Sequence, residues 1–139
     1  MEKENRGYIE ITEKNDGTWN VKARLINGNV WMTQYRMARL FGVYESTVRN
    51  NLRAIFKSGV LSESDVTPSD WNGQSGLETL YNLEAIIYVS FRVATYQARA
   101  FRQWVLHALH KYYREEKPHE ATMVLVYDYC RQRSEHILN

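Results

Sequence analysis

The 139-residue chain is 44% hydrophobic and 13% aromatic with two prolines, a composition that excludes a disordered chain and suits a single domain over 1–139 with one core. Its single cysteine, Cys130, excludes an internal disulfide and has no partners at metal-ligand spacing, so it is expected to pack rather than react. With a net charge of +2, no signal-peptide region in MEKENRGY and no apolar run near the ~20 residues of a membrane span, the chain is expected to be cytoplasmic and free of the membrane.

Residues 1–32 read as a β-hairpin region. In 8-YIEITEKNDGTWNVKARL-25, apolar and polar residues alternate on both sides of Asn15-Asp16-Gly17, whose Asp-Gly pair supplies the positive φ of a tight turn. Strands are predicted near Tyr8–Thr12 and Thr18–Leu25. A second turn follows at Asn27-Gly28, and Val30-Trp31-Met32 is expected to pair back as a short third strand. An isolated hairpin is marginal in water, so these strands are expected to pack on helices.

From Thr33 the period changes. Thr33 is placed to cap a helix in which Met37, Leu40 and Phe41 recur three and four apart, and Gly42 ends it as a glycine past a helix C-terminus does. A second helix is predicted from Glu45 to Phe56. Val48, Leu52, Ile55 and Phe56 share one face, and Arg49, Asn50, Arg53 and Lys57 turn away from it. Gly42-Val43-Tyr44 joins the two with the short glycine-containing turn of a helix-turn-helix over 33–57.

Residues 58–81 hold Pro68, Gly73, Gly76 and many Ser, Asp and Asn, so they read as loop. Short strands around Ser64–Thr67 and Leu77–Tyr81 would make this segment a wing. A helical pair follows over 82–114: Asn82 caps one helix, and Thr95 caps a longer one to about Tyr113, striped by Ala98, Phe101, Val105, Ala108, Leu109 and Tyr112. Pro118 suits the first turn of a last helix over 118–138, apolar on nearly every side from Met123 to Cys130; a strand at Met123–Tyr129 competes with it. Cover for such a segment would come from a second subunit, so a homodimer is expected. The expected fold class is α+β: a winged-helix-like helix-turn-helix with an N-terminal β-hairpin and additional C-terminal helices.

Charge is segregated along the chain. Arg36, Arg39, Arg49, Arg53 and Lys57 face one acid, Glu45, between Trp31 and Lys57. From Ser58 to Glu84 there is no Lys or Arg, but Glu63, Asp65, Asp70, Glu78 and Glu84. A second basic run, Arg92 to Lys117, follows. Such patterning steers a polyanion to one surface, although solvated helix faces produce similar runs. A DNA-reading helix docks by its apolar face and offers the other to bases and phosphates. Glu45, Ser46, Thr47, Arg49 and Asn50 are the expected base-reading residues, since Arg forks onto guanine, Asn onto adenine, and Ser or Thr meets either bases or phosphate. Thr33, Gln34, Arg36, Arg53 and Lys57 are expected to grip phosphates. Double-stranded DNA is the expected partner.

Two separated motifs carry a family resemblance. The stretches 31-WMTQYRMARLFGVYESTVRNNLRAIFKSGVL-61 and 81-YNLEAIIYVSFRVATYQARAFRQWVLHAL-109 include Trp31, Thr33, Gln34, Phe41-Gly42-Val43, Ser46-Thr47, Ile55-Phe56-Lys57, Tyr81-Asn82-Leu83, Arg92-Val93, Phe101-Arg102 and Trp104. Across roughly residues 20–113 the chain resembles the RhuM family, known as virulence proteins. The resemblance implies a helix-turn-helix DNA-binding domain in a bacterial or mobile-element regulator. Phe101-Arg102-x-Trp104 also resembles, more weakly, a segment of BRO-type phage antirepressors. The chain departs from the family pattern at Tyr44, Glu45, Arg49-Asn50 and Gly76-Leu77.

Enzymatic readings have little to stand on. No glycine-rich phosphate loop, nucleophile elbow or paired-carboxylate motif occurs, so no catalytic residue, cofactor, metal or small-molecule substrate is expected. His107 and His110 stand three apart on a helix without a third ligand and read as exposed histidines. Phe101, Arg102 and Trp104 read as core and cap. The alternative to a DNA-binding protein is an interaction module that keeps the helix-turn-helix as scaffold and binds a protein through the Trp104/Leu106 surface or the last helix.

Overall fold

Alternation in the first strands dictates which face is covered. β1 (Tyr8–Glu13) and β2 (Trp19–Arg24) pair antiparallel in the register Ile9↔Ala23 and Ile11↔Val21, which gathers these four apolar side chains on one face. Gly17, at φ +86°, closes the turn, and the Asp16 carboxylate accepts from the Thr18 amide at 3.0 Å and the Thr18 hydroxyl at 2.6 Å. A second turn at Asn27 and Gly28, both at positive φ, returns the chain: Ile26 and Asn29 exchange both backbone bonds at 2.9 and 3.0 Å. The computed structural model describes residues 5–116.

The chain divides into two units, Met1–His107 and Ala108–Asn139. The first holds α1 (Gln34–Phe41), α2 (Glu45–Ser58), α3 (Leu83–Ser90) and most of α4 (Tyr96–Glu116). The described part of the second is the final stretch of α4, residues 108–116. The last helix expected over 118–138, its competing strand and Cys130 lie outside the described residues. Among the described residues the fold is α+β, one two-stranded hairpin and four α-helices, and no helix is long and apolar enough to cross a membrane.

Capping sets the helix ends. The Thr33 hydroxyl accepts from the Arg36 amide at 3.3 Å, Asn82 Oδ1 from Ala85 at 3.2 Å, and Thr95 Oγ1 from Ala98 at 3.2 Å. Gly42 ends α1 at φ +68°, and the next amide, Val43, reaches back to the Ala38 carbonyl at 3.0 Å, the closure that only a left-handed residue allows easily. α1 and α2 then meet through Met37, Ala38, Phe41, Val48, Leu52 and Ile55, all buried. Phe41 also meets Phe101 of α4 edge to face at 5.6 Å. A fully buried side chain of this size stabilises the fold by about 1.5–3 kcal/mol.

Two expected elements differ. Val30-Trp31-Met32 forms no third strand; Met32 makes a single bridge with Tyr81, exchanging backbone bonds at 3.0 and 2.9 Å. The strands expected at Ser64–Thr67 and Leu77–Tyr81 are also absent, so 58–81 contains no hairpin. A 3₁₀ turn, Glu63–Asp65, stands at the first position. The cause is local chemistry: Thr67 Oγ1 donates to the Glu63 carbonyl at 2.9 Å, Asn72 Oδ1 accepts from Gln74 at 2.9 Å, and Thr79 Oγ1 accepts from Gly76 at 2.7 Å. Side chains that satisfy nearby backbone remove the need for a ladder. The segment is anchored by Tyr81, fully buried, whose hydroxyl donates to Glu63 Oε2 at 3.0 Å while Ser75 holds the same oxygen.

Candidate nucleic-acid interface

A helix that docks by one face has the opposite face for a ligand. α2 docks through Val48, Leu52 and Ile55. On its other side Ser46, Asn50, Arg53 and Lys57 recur at i, i+4, i+7 and i+11, and all four are exposed. The row presents a hydroxyl, an amide, a guanidinium and an ammonium, all donors, with the two permanent charges in its C-terminal half. Such a row can meet phosphate oxygens and the acceptor edges of bases.

Glu45 and Arg49 flank this row as an i, i+4 pair, Arg49 Nη2 to Glu45 Oε1 at 3.8 Å, with side chains 32% and 41% exposed. At that exposure the pair contributes about 0.5 kcal/mol or less, so Arg49 can trade Glu45 for an outside acceptor at small cost. Thr47 is half-buried on the opposite flank. Ser46 and Asn50 therefore stand in the row, with Glu45 and Arg49 on one flank of it and Thr47 on the other, all three half-buried.

The expected phosphate-gripping residues divide. Arg36, Arg53 and Lys57 are exposed. Thr33 and Gln34 are buried, 9% and 8% exposed. The Thr33 hydroxyl is engaged as the cap of α1, and the Gln34 amide faces the Tyr81 hydroxyl. Their place at a helix start suits an anion in sequence, but both side chains are covered by the fold, next to the Met32–Tyr81 bridge.

No family model, curated protein or solved structure matches the chain.

Two neighbours of the row carry little sequence signal. Arg92, from the turn between α3 and α4, donates Nε to Asn51 Oδ1 of α2 at 3.0 Å and is otherwise exposed. Its terminal nitrogens remain on the flank of α2, oriented by Asn51. Only the basic run from Arg92 onward hinted at this residue; its partner is 41 positions away. Tyr44, the residue before α2, is 82% exposed and makes no side-chain cap bond, so an aromatic ring stands free at the helix entrance.

Arg102 does the reverse. Its Nη1 donates to the carbonyls of Ser90 and, at 2.9 Å, Val93, and its guanidinium lies 5.9 Å from the Phe91 ring centre. It closes the carbonyl end of α3 and belongs to the fold, as core-and-cap reading of Phe101-Arg102-x-Trp104 expects. His107 and His110 are exposed on α4. Among the described residues no three His, Cys, Asp or Glu side chains gather as a metal site needs.

Proposed function

We propose that the chain is a sequence-specific DNA-binding protein, a bacterial or mobile-element transcriptional regulator without enzymatic activity, that inserts α2 into the major groove. The observation that carries this reading is the exposed row Ser46, Asn50, Arg53 and Lys57, directly opposite the buried docking face of the same helix. Glu45, Ser46, Arg49 and Asn50 read bases from the N-terminal half of α2. Arg36, Arg53, Lys57 and Arg92 hold phosphates on either side. The glycine turn that joins α1 to α2 and the resemblance to the RhuM family support the same reading.

The arrangement is winged-helix-like in order alone: the loop 58–81 follows α2 where a wing would stand. The protein acts in the cytoplasm as a homodimer on a two-fold-symmetric site. Selection of bound sequences from a random pool of duplexes tests this. One enriched, two-fold-symmetric sequence is expected; recovery of no sequence above background rejects the reading.

The exposure of Leu106, 54%, favours a second reading, in which the α4 surface around Trp104 and Leu106 docks a protein partner. Leu106→Asp would abolish that function, whereas charge reversal at Arg49 and Arg53 would leave it intact.

A further inference from the structure

The face of α4 away from Arg102 runs along the hairpin, and the two leave a groove of about 610 Å³ between them. Tyr96, Arg99, Gln103, Trp104 and His107 form its helical wall, and Trp19 rises from β2 on the other side. The spacing i, i+3, i+7, i+8 and i+11 puts the five α4 residues on one stripe, so the groove is a product of helix periodicity and of the hairpin register that turns Trp19 to the apolar face. Its size lies in the range of small-molecule sites.

Three aromatic rings and one permanent cation dominate the lining. Trp19 and Tyr96 are nearly parallel, 10° apart in plane with centroids 6.5 Å apart. Tyr96 is 71% exposed, so much of its ring is open to a further flat group. Trp104 is held from behind by Phe101, stacked at 5.6 Å, which keeps its indole in place without occupying the groove. Arg99 is exposed and no acid pairs with it among the described residues, and the lining contains no carboxylate. Gln103, one turn along the helix, adds an amide donor.

We infer that this groove binds a small planar aromatic carboxylate, its ring stacked on the open face of Tyr96, which Trp19 backs, and its carboxylate forked by Arg99 with Gln103 as second donor. The Tyr96 ring, backed by Trp19, selects a flat apolar body, and a guanidinium that no acid pairs with among the described residues selects one negative charge. A neutral aromatic loses the charge-assisted bonds, and an aliphatic carboxylate loses the stacking. This inference goes beyond the DNA-binding reading and stands or falls separately from it, because it is tested without any duplex.

The test is calorimetric titration of the full chain with benzoate, indole-3-carboxylate and 1-naphthoate, with 1-naphthalenemethanol as the uncharged counterpart. Saturable binding of 1-naphthoate is expected, about tenfold or more tighter than the alcohol. Tyr96→Ala and Arg99→Gln, both at exposed positions, should each weaken the naphthoate by about tenfold. Gln103→Glu places a like charge beside the carboxylate and should weaken the naphthoate while leaving the alcohol unchanged. Thermal melts establish that each variant is folded. Absence of saturable binding by all three carboxylates overturns the inference, as does naphthoate affinity unchanged in Arg99→Gln and Gln103→Glu.

Discussion

Thr95 and Phe41 join the start of one helix to the end of another: the Thr95 hydroxyl donates to the Phe41 carbonyl at 2.6 Å while accepting from the Ala98 amide at 3.2 Å. One oxygen thus caps α4 and satisfies a terminal carbonyl of α1. Thr95→Val keeps the shape and removes both bonds. Its expected cost is about 1–2 kcal/mol. For a domain of this size that lowers Tm by roughly 3–5 °C per kcal/mol, measured by thermal circular dichroism.

Gly42 lies against the same junction. It adopts φ +68°, and a Cβ there would stand 2.7 Å from Gln97 Nε2. Gly42→Ala is expected to destabilise by about 1–2 kcal/mol from the left-handed conformation alone. Gln97→Ala in the same chain clears the contact and leaves that backbone cost in place. Denaturant melts of the single and double variants separate the two contributions; full recovery in the double variant would show that crowding, not conformation, dominates.

Arg102→Ala removes the guanidinium that closes α3 through Ser90 and Val93. A loss of about 2 kcal/mol is expected, since charge-assisted bonds to carbonyls are lost from a half-buried site. Arg102→Lys should recover only part of it, because a single ammonium lacks the flat face that lies over Phe91. Urea denaturation of the two variants measures both effects.

Tyr81→Phe tests the anchor of the 58–81 loop. Burial is the largest cause that pushes the Tyr81 hydroxyl above its ordinary value of 10.0, opposed by the Ser75 hydrogen bond and reinforced by the negative charge of Glu63. A raised pKa in the folded state means that the neutral tyrosine's contribution is complete below pH 10.0 and is lost as pH rises through the folded value, since the unfolded tyrosine ionises first. Near pH 8 the variant should be less stable by about 1–2 kcal/mol from the lost bond. Above pH 10 the gap between wild type and variant should narrow; a constant gap in denaturant melts across this range would show that Tyr81 does not titrate as described.

If α2 reads DNA, the logarithm of affinity should fall with the logarithm of salt at a slope of roughly −3 to −4 per protomer, for the four phosphates held by Arg36, Arg53, Lys57 and Arg92. Arg49→Ala should weaken specific binding by about 1–3 kcal/mol with little change in Tm. Arg92→Ala should instead reduce the salt slope by about one and weaken all duplexes alike. Fluorescence anisotropy over a salt series distinguishes the two.

The parts of the fold that depend on neighbours in sequence were legible. Asp16-Gly17, Asn27-Gly28, Thr33, Gly42, Asn82 and Thr95 carry turn and cap chemistry within a few residues, and each stands where that chemistry places it. What escaped depended on distant partners. Gln34 is buried with its amide at the Tyr81 hydroxyl, and Arg92 is held by Asn51; neither contact leaves a pattern in composition or period. In 58–81 the error was of another kind: Ser, Thr and Asn that resemble strand ends satisfied their own backbone first. For α2, the 3.6-residue period placed Asn50, Arg53 and Lys57 on the exposed side opposite Val48, Leu52 and Ile55, while Arg49 and Thr47 stand half-buried on its flanks.

Asn29 Oδ1 accepts from both its neighbour Val30, at 2.9 Å, and Leu83, at 2.8 Å, beside the Met32–Tyr81 bridge. The two ends of the segment from α1 through the loop 58–81 are therefore pinned side by side. That closure does not make the segment separable: Phe41, Val48, Leu52 and Ile55 share one core with Ala85, Ile86, Val89 and Phe101, so a change at the pinned ends is felt in the packing of the helices between them.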